Sequence, residues 1–151
     1  MRTRVARYED VHAVVRYLKQ NHDNTGWGCL PINDKVLRES VVALIRTHDV
    51  ADVLMAEDSE GTIRGVLLAT LDRFFWCKKF YASSVHFVAT GGGAALVNAF
   101  KHWAATRNCE CIIEAVATDD ARAEAFMEAT GFERRGGALV CWLRQTEEQA
   151  A

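Results

Sequence analysis

Three consecutive glycines, Gly91-Gly92-Gly93, separate two apolar stretches that fold by different rules. Residues 81–89 read as a strand. Beyond the glycines, Leu96, Ala99, Phe100 and Trp103 share one face of a helix. Glycine weakens the interior of either element, so the run marks the junction where a strand ends and a helix opens. A helix N-terminus presents unpaired N–H groups and the positive end of the macrodipole. With no side chains in the way, an anion can come close to such a backbone. A pyrophosphate could therefore sit over Gly91, Gly92, Gly93, Ala94 and Ala95. No Gly-Lys-Ser/Thr follows, and the spacing is not that of a dinucleotide fingerprint. A tightly packed strand-to-helix turn is the other reading of the same run.

The flanking segments constrain the fold further. Residues 3–6 read as a short first strand. A helix follows over 9–21, with Val11, Val14, Val15 and Leu18 forming one apolar stripe. Residues 23–31 hold Asn24, Gly26, Gly28 and the sole proline, so they form a loop. Asn33 can cap a second helix whose inward residues are Val36, Leu37, Val41, Leu44 and Ile45. The period then changes. Residues 50–56 and 62–71 make a hairpin about the turn at 58–61. After an aromatic and basic connection over 73–79 comes the strand that enters the glycines. Residues 111–116 form a buried strand, Asp119 or Asp120 caps a helix carrying Ala123, Phe126 and Met127 inward, and Gly131 ends it. Residues 132–134 and 138–143 complete the sheet.

The order β-α-α-β-β-β-α-β-α-β-β predicts an α/β (α+β) chain. Its sheet is mixed, mostly antiparallel and twisted, with about seven strands and helices on both faces. One domain is expected over 1–144, with a polar tail over 145–151. At 151 residues the chain is long enough to bury a core without staples. The formal net charge of -2 supplies no overall positive field for nucleic acid or anionic lipid. Five cysteines at irregular spacing, four of them among apolar neighbours, read as reduced thiols. No apolar run follows the basic start, and none is long enough to span a bilayer. A soluble, cytoplasmic chain is expected.

In order and residues the chain resembles the GNAT N-acetyltransferases, particularly compact ones often encoded by bacteriophages. Arg4 to Val11 is similar to the family's "R-x-A-x-x-x-D-hydrophobic" opening. The stretch from Val53 to Asp58, then Gly61 and Gly65-Val66-Leu67-Leu68, resembles its central hairpin. Gly91 to Leu96, with Phe100 and Trp103-Ala104, resembles its pyrophosphate loop and following helix. Ala123 to Phe132, ending Ala-Thr-Gly-Phe, resembles its closing segment. The resemblance implies acetyl-CoA as co-substrate, bound where two parallel strands splay apart. Phe87, Val88 and Ala89 would offer backbone groups to the pantetheine. An amine acceptor, small molecule or protein, would attack the thioester; a base would take its proton and an acid would protonate the departing thiolate.

Against the family pattern, Val88 stands where an Arg or Gln usually supports the pyrophosphate. Met127 replaces the usual thiolate-protonating Tyr, and Asp120 replaces the helix-starting Asn. The usual Pro-x-x-Arg stretch is absent. These departures keep open an alternative: a degenerate GNAT-fold structural module, such as a virion protein partnered by copies of itself or by other assembly components.

His86 is the candidate base on the strand before the glycines, with a pKa suited to neutral pH; a packed or half-exposed strand histidine is the plain reading. Glu114 could be a base or orient an amine, and alternation favours instead a place on the solvated face. Cys109 and Cys111 read as buried inert thiols, since metal sites want wider spacing and more ligands. Trp27 could line an acceptor pocket, plug a gap or meet a protein. Phe74, Phe75 and Trp76, beside Lys78 and Lys79, could stack on bases, pack under the sheet edge or form a protein contact. Tyr81 is a spare hydroxyl and a substitute acid.

Overall fold

The computed structural model describes residues 1–115 and 120–143. Val116, Asp119 and the tail 145–151 lie outside the described residues. The elements are β1 (Arg2–Val5), a 3-10 turn (Tyr8–Asp10), α1 (Val11–Asn21), a second 3-10 turn (His22–Asn24), α2 (Asp34–Arg46), β2 (Ala51–Glu57), β3 (Ile63–Arg73), β4 (Phe80–Ala89), α3 (Gly93–Thr106), β5 (Cys109–Glu114), α4 (Ala121–Ala129), β6 (Glu133–Arg135) and β7 (Ala138–Trp142). The strands form one seven-stranded sheet in the order β1-β2-β3-β4-β5-β7-β6. β1 with β2, β2 with β3, β5 with β7 and β6 with β7 are antiparallel. β4 and β5 are parallel, paired from Phe80 to Ala82 and from Cys109 to Ile112. A parallel pair needs a crossover, and α3 supplies it. The sheet is mixed and open, the expected fold class.

The fold comprises two compact units: Met1–Thr70 with Ser84–Phe100, and Leu71–Ser83 with the chain from Lys101 onward. In the first unit, Val14, Val41, Val53 and Val66 are fully buried at the centre of one cluster. The α1 stripe is as expected, with Val11, Val14, Val15 and Leu18 buried, and Tyr17 joins them. Asn33 caps α2 by accepting the Val36 N–H at 3.1 Å. Val41 and Ile45 face in, but Val36 is 57% exposed rather than inward. At about 100° per residue it lies nine residues, or half a turn of rotation, from Ile45. β2 buries six residues in succession, as a strand covered on both faces does. The one polar residue of these six, Asp52, is 2% exposed and has His48 Nδ1 2.7 Å from its Oδ1.

Arg4 ties the entry of the chain to the sheet. Its guanidinium donates to both carboxylate oxygens of Asp10, at 2.7 and 2.8 Å, and to Glu57 at 2.7 Å. Asp10 also accepts the Arg7 backbone N–H at 2.7 Å, which closes the 3-10 turn. Forked, charge-assisted bonds of this kind are strong for a partly buried site.

In the second unit, Cys109, Cys111 and Ile112 on β5 are buried beside Leu139, Val140 and Cys141 of β7. Asp120 caps α4, accepting the Ala123 N–H at 2.9 Å. Gly131 ends the helix at φ 93°, with Phe132 N–H donating to the Met127 carbonyl at 3.1 Å. Ala123 and Phe126 are half-buried and Met127 is buried, so that inward face is the expected one. Lys101 donates to the Thr130 carbonyl and lies over the Phe132 ring.

The Arg4 clamp holds the Asp10 carboxyl below its ordinary range, the Arg4 hydrogen bonds being the main cause. A depressed folded-state pKa stabilises fully above the unfolded value, near 3.9, and that contribution is lost as pH falls through the folded one. Urea unfolding should show wild-type stability dropping below about pH 4. Asp10→Asn should be weaker at pH 7 by on the order of 1–2 kcal/mol and show a shallower acid slope. Parallel slopes would remove Asp10 from the acid response.

Candidate functional site

The glycine junction is built from residues of α1, β3 and the start of α3 that belong to the first unit. The carbonyl of Arg64, on β3, accepts from Thr90 N–H at 2.8 Å, Gly91 N–H at 3.0 Å, the Tyr17 hydroxyl at 2.8 Å and, more weakly, the Thr90 hydroxyl at 3.3 Å. The same hydroxyl accepts the Thr90 N–H at 3.1 Å. The next residue, Gly65, is buried, and a Cβ there would stand 2.6 Å from Leu96 Cδ1 and 3.1 Å from Ala89 Cβ. The loop can lie on β3 only because residue 65 has no side chain. Gly92 then turns at φ 72°, a conformation glycine adopts without strain, and its carbonyl accepts the Leu96 N–H at 3.0 Å.

By this geometry the first helical amides, those of Gly93, Ala94 and Ala95, point away from any intrahelical acceptor. No acidic side chain occupies the first turn of α3. Donors, dipole and small side chains together form a seat suited to an anion. The Gly91 amide is committed to Arg64, so the receiving surface is centred on 92–95. Met1 bounds it: its Cγ lies 2.7 Å from where a Cβ of Gly92 would stand. Val88 packs against the hydrophobic cluster. It cannot donate to a phosphate through its side chain, which leaves the backbone as the donor set.

His86 is half-buried on β4, and burial, reinforced by the neighbouring His22, pushes its pKa below the ordinary value. It is therefore neutral, and able to accept a proton, at neutral pH. Glu114 lies in the second unit and is 7% exposed, opposite Leu139 of β7. It does not take the solvated position that alternation favoured: at this end of β5 the side chain is covered.

The aromatic connection departs from one expectation. Residues 74–79 close on themselves, Phe74 N–H donating to Lys79 O at 3.0 Å and Cys77 N–H to Phe74 O at 3.3 Å. Phe74 stacks on Tyr81 with ring centroids 4.9 Å apart, but Phe75 and Trp76 are 92% and 68% exposed. These two do not pack under the sheet edge, since the tight turn carries them past it. The Tyr81 hydroxyl lies 3.4 Å from Asp72, and burial and that carboxylate raise its pKa, so it stays protonated. Trp27 is exposed, as is Cys29. Cys109 and Cys111 are buried, and burial pushes the Cys111 thiol up to about 11. Among the described residues no group of three or more His, Cys, Asp or Glu could hold a metal. No helix there is long and apolar enough to cross a membrane.

Tyr17 and Gly65 are the site residues missed by sequence reasoning. The signals were present: Tyr17 follows Val14 by three residues, on the α1 stripe, and Gly65 is the only glycine within β3.

No known family profile matches the chain, and no curated protein is similar to it in sequence. Solved structures are similar in fold. A probable acetyltransferase superposes with a TM-score of 0.78 at 13% identity, over 89% of this chain and 91% of that one. YncA from Salmonella typhimurium, a putative acetyltransferase solved with its cofactor acetyl-CoA, gives 0.69 at 15%, over 97% and 95%. A ribosomal-protein-alanine N-acetyltransferase from Brucella melitensis gives 0.67 at 20%, over 93% and 97%. Over most of its length, then, this chain has the fold of the GNAT acetyltransferases.

Proposed function

We propose that the chain is an acetyl-CoA-dependent N-acyltransferase acting on an amine, small molecule or protein. The observation that carries this reading is the α3 N-terminus: amides of residues 93–95 without helical acceptors, no acidic side chain beside them, and a loop fixed to β3 so that they stay presented. The shared fold supports it, with one similar structure solved with acetyl-CoA and another with the aminoglycoside sisomicin.

The residues divide the work by chemistry. Amides of 92–95 would receive the pyrophosphate, and the backbone of Phe87, Val88 and Ala89 would align the pantetheine. When bound, acetyl-CoA supplies an activated acyl group on sulfur. The acceptor nitrogen forms the C–N bond as the C–S bond breaks. His86, neutral because it is half-buried, would take the proton from the nitrogen. Glu114 is the second candidate for holding the amine. Met127 has no proton to give, so the sulfur must be protonated elsewhere; Tyr81 is the candidate hydroxyl.

Three outcomes test this. Calorimetric titration should show saturable acetyl-CoA binding, weakened at least tenfold by Ala94→Glu. That substitution favours the helix electrostatically, since a carboxylate suits an N-terminus, while it repels phosphate. Equal affinity in the variant would move the co-substrate elsewhere. With an acceptor found by thiol-release screening, kcat/KM should rise with pH to a plateau through a midpoint below the ordinary histidine value, since the His86 pKa is depressed. His86→Gln should lower the plateau by about 10²-fold or more. An unchanged rate would remove His86 from the chemistry. Tyr17→Phe should lower stability by about 1–3 kcal/mol, because it strips a donor from Arg64 O and an acceptor from Thr90 N–H. It should raise the KM for acetyl-CoA more than it changes kcat.

A further inference from the structure

A second concave site lies elsewhere in the first unit. A cavity of about 680 Å³ is lined by Arg2, Arg4 and Arg7 at and after β1, by Arg46 at the end of α2, and by Tyr8 and His48 among others. Four arginines are among its lining residues, and no lining residue is acidic. The chain as a whole is slightly acidic, so this concentration does not follow from its average charge.

Arg4 is accounted for structurally by Asp10 and Glu57, whose carboxylates are 15% and 12% exposed and turned toward it. The other three are not. Among the described residues no carboxylate pairs with Arg2 or Arg46. Arg7 has only Glu9 at 3.9 Å, both side chains more than 70% exposed, a contact of negligible strength. Arg46 sits 5.7 Å from the Tyr8 ring centroid, and Tyr8 is 63% exposed. Arg2, Arg7 and Arg46 thus place three cations without a strong carboxylate partner around one concavity, where a bound anion would lower their mutual repulsion. Guanidinium groups are the side chains best shaped to grip phosphate oxygens in pairs.

We infer that this cavity is a binding site for a phosphorylated small molecule of nucleotide size, distinct from the seat at residues 92–95. The volume falls in the range of small-ligand pockets. The ring of Tyr8, stiffened by Arg46, offers a face for a flat group beside the phosphate. A long polyanion fits less well, because the arginines line a concavity and do not run in a stripe, and the net charge of -2 opposes it.

The test is calorimetric titration of the full chain with inorganic pyrophosphate and, separately, with ADP. Each is repeated in Arg7→Glu/Arg46→Glu, in the milder Arg7→Ala, and in Ala94→Glu, with circular dichroism confirming that each variant is folded. A saturable component that persists in Ala94→Glu is expected, weakened at least tenfold in the double variant and reduced in Arg7→Ala. ADP binding tighter than pyrophosphate, with the excess removed by Tyr8→Leu, would identify a nucleotide as the source. Equal affinities would identify the phosphate groups alone as the determinant. The inference is overturned by an absence of saturable heat at millimolar ligand. It is overturned equally by binding that Ala94→Glu abolishes and the arginine variants leave intact, or by a response confined to single-stranded DNA or polyglutamate. The Ala94→Glu arm separates failure here from failure of the acyltransferase reading.

Discussion

The Arg64 carbonyl accepts from the Tyr17 hydroxyl, from the amides of Thr90 and Gly91 and from the Thr90 hydroxyl at once. One oxygen thereby joins α1, β3 and the end of β4. The neighbouring Gly65 lets Leu96 and Ala89 close on the same strand to within a distance that a methyl group would prevent. The direction in which α3 leaves the sheet depends on this pair of contacts, and so does the surface its first amides present. Everything proposed for the glycine junction presumes that the junction is rigid. What holds it is one heavily shared acceptor and one missing side chain.

The proposed acyl-transfer site leans on backbone more than on side chains. Val88 packs against the core and Met127 is buried, and neither side chain can donate a hydrogen bond. Arg64, a nearby cation, is held by Asp58 at 2.8 Å. The amides of 93–95 need none of these. Backbone donors aligned with a helix dipole act together, and their arrangement costs no side-chain ordering at the moment of binding.

Much of the architecture was legible in the sequence because local signals agreed. The α1 stripe, the Asn33 and Asp120 caps, the turn at 58–61 and the Gly131 stop are each set by neighbours within a turn or two. The element order follows from them. What was not legible depends on distant partners. Val36 is apolar, and only the rotation of α2 against the core shows that it faces out. Glu114 alternates with apolar residues like a surface position, and only the folded chain covers it. The outward course of Phe75 and Trp76 is decided by a backbone turn that their own hydrophobicity opposes. The arginine-lined cavity joins Arg2 and Arg46, far apart in sequence, through the packing of α2 beside the chain entry. Tyr17 looked like one more stripe residue until its hydroxyl found Arg64.

A binding surface made of amides leaves little trace in residue identity. Any small residue at 94 or 95 presents the same N–H groups, so mutation can replace the letters while the shape stays under selection. The most constrained positions are Gly65, where a Cβ would crowd Leu96 and Ala89, and Gly92, which turns at φ 72°; the first lies beside the surface and the second at its edge. A lineage built this way would lose recognisable sequence faster than it loses geometry. Its members would be found by asking where a strand lacks a Cβ beneath a helix start, a criterion of shape with hardly any alphabet.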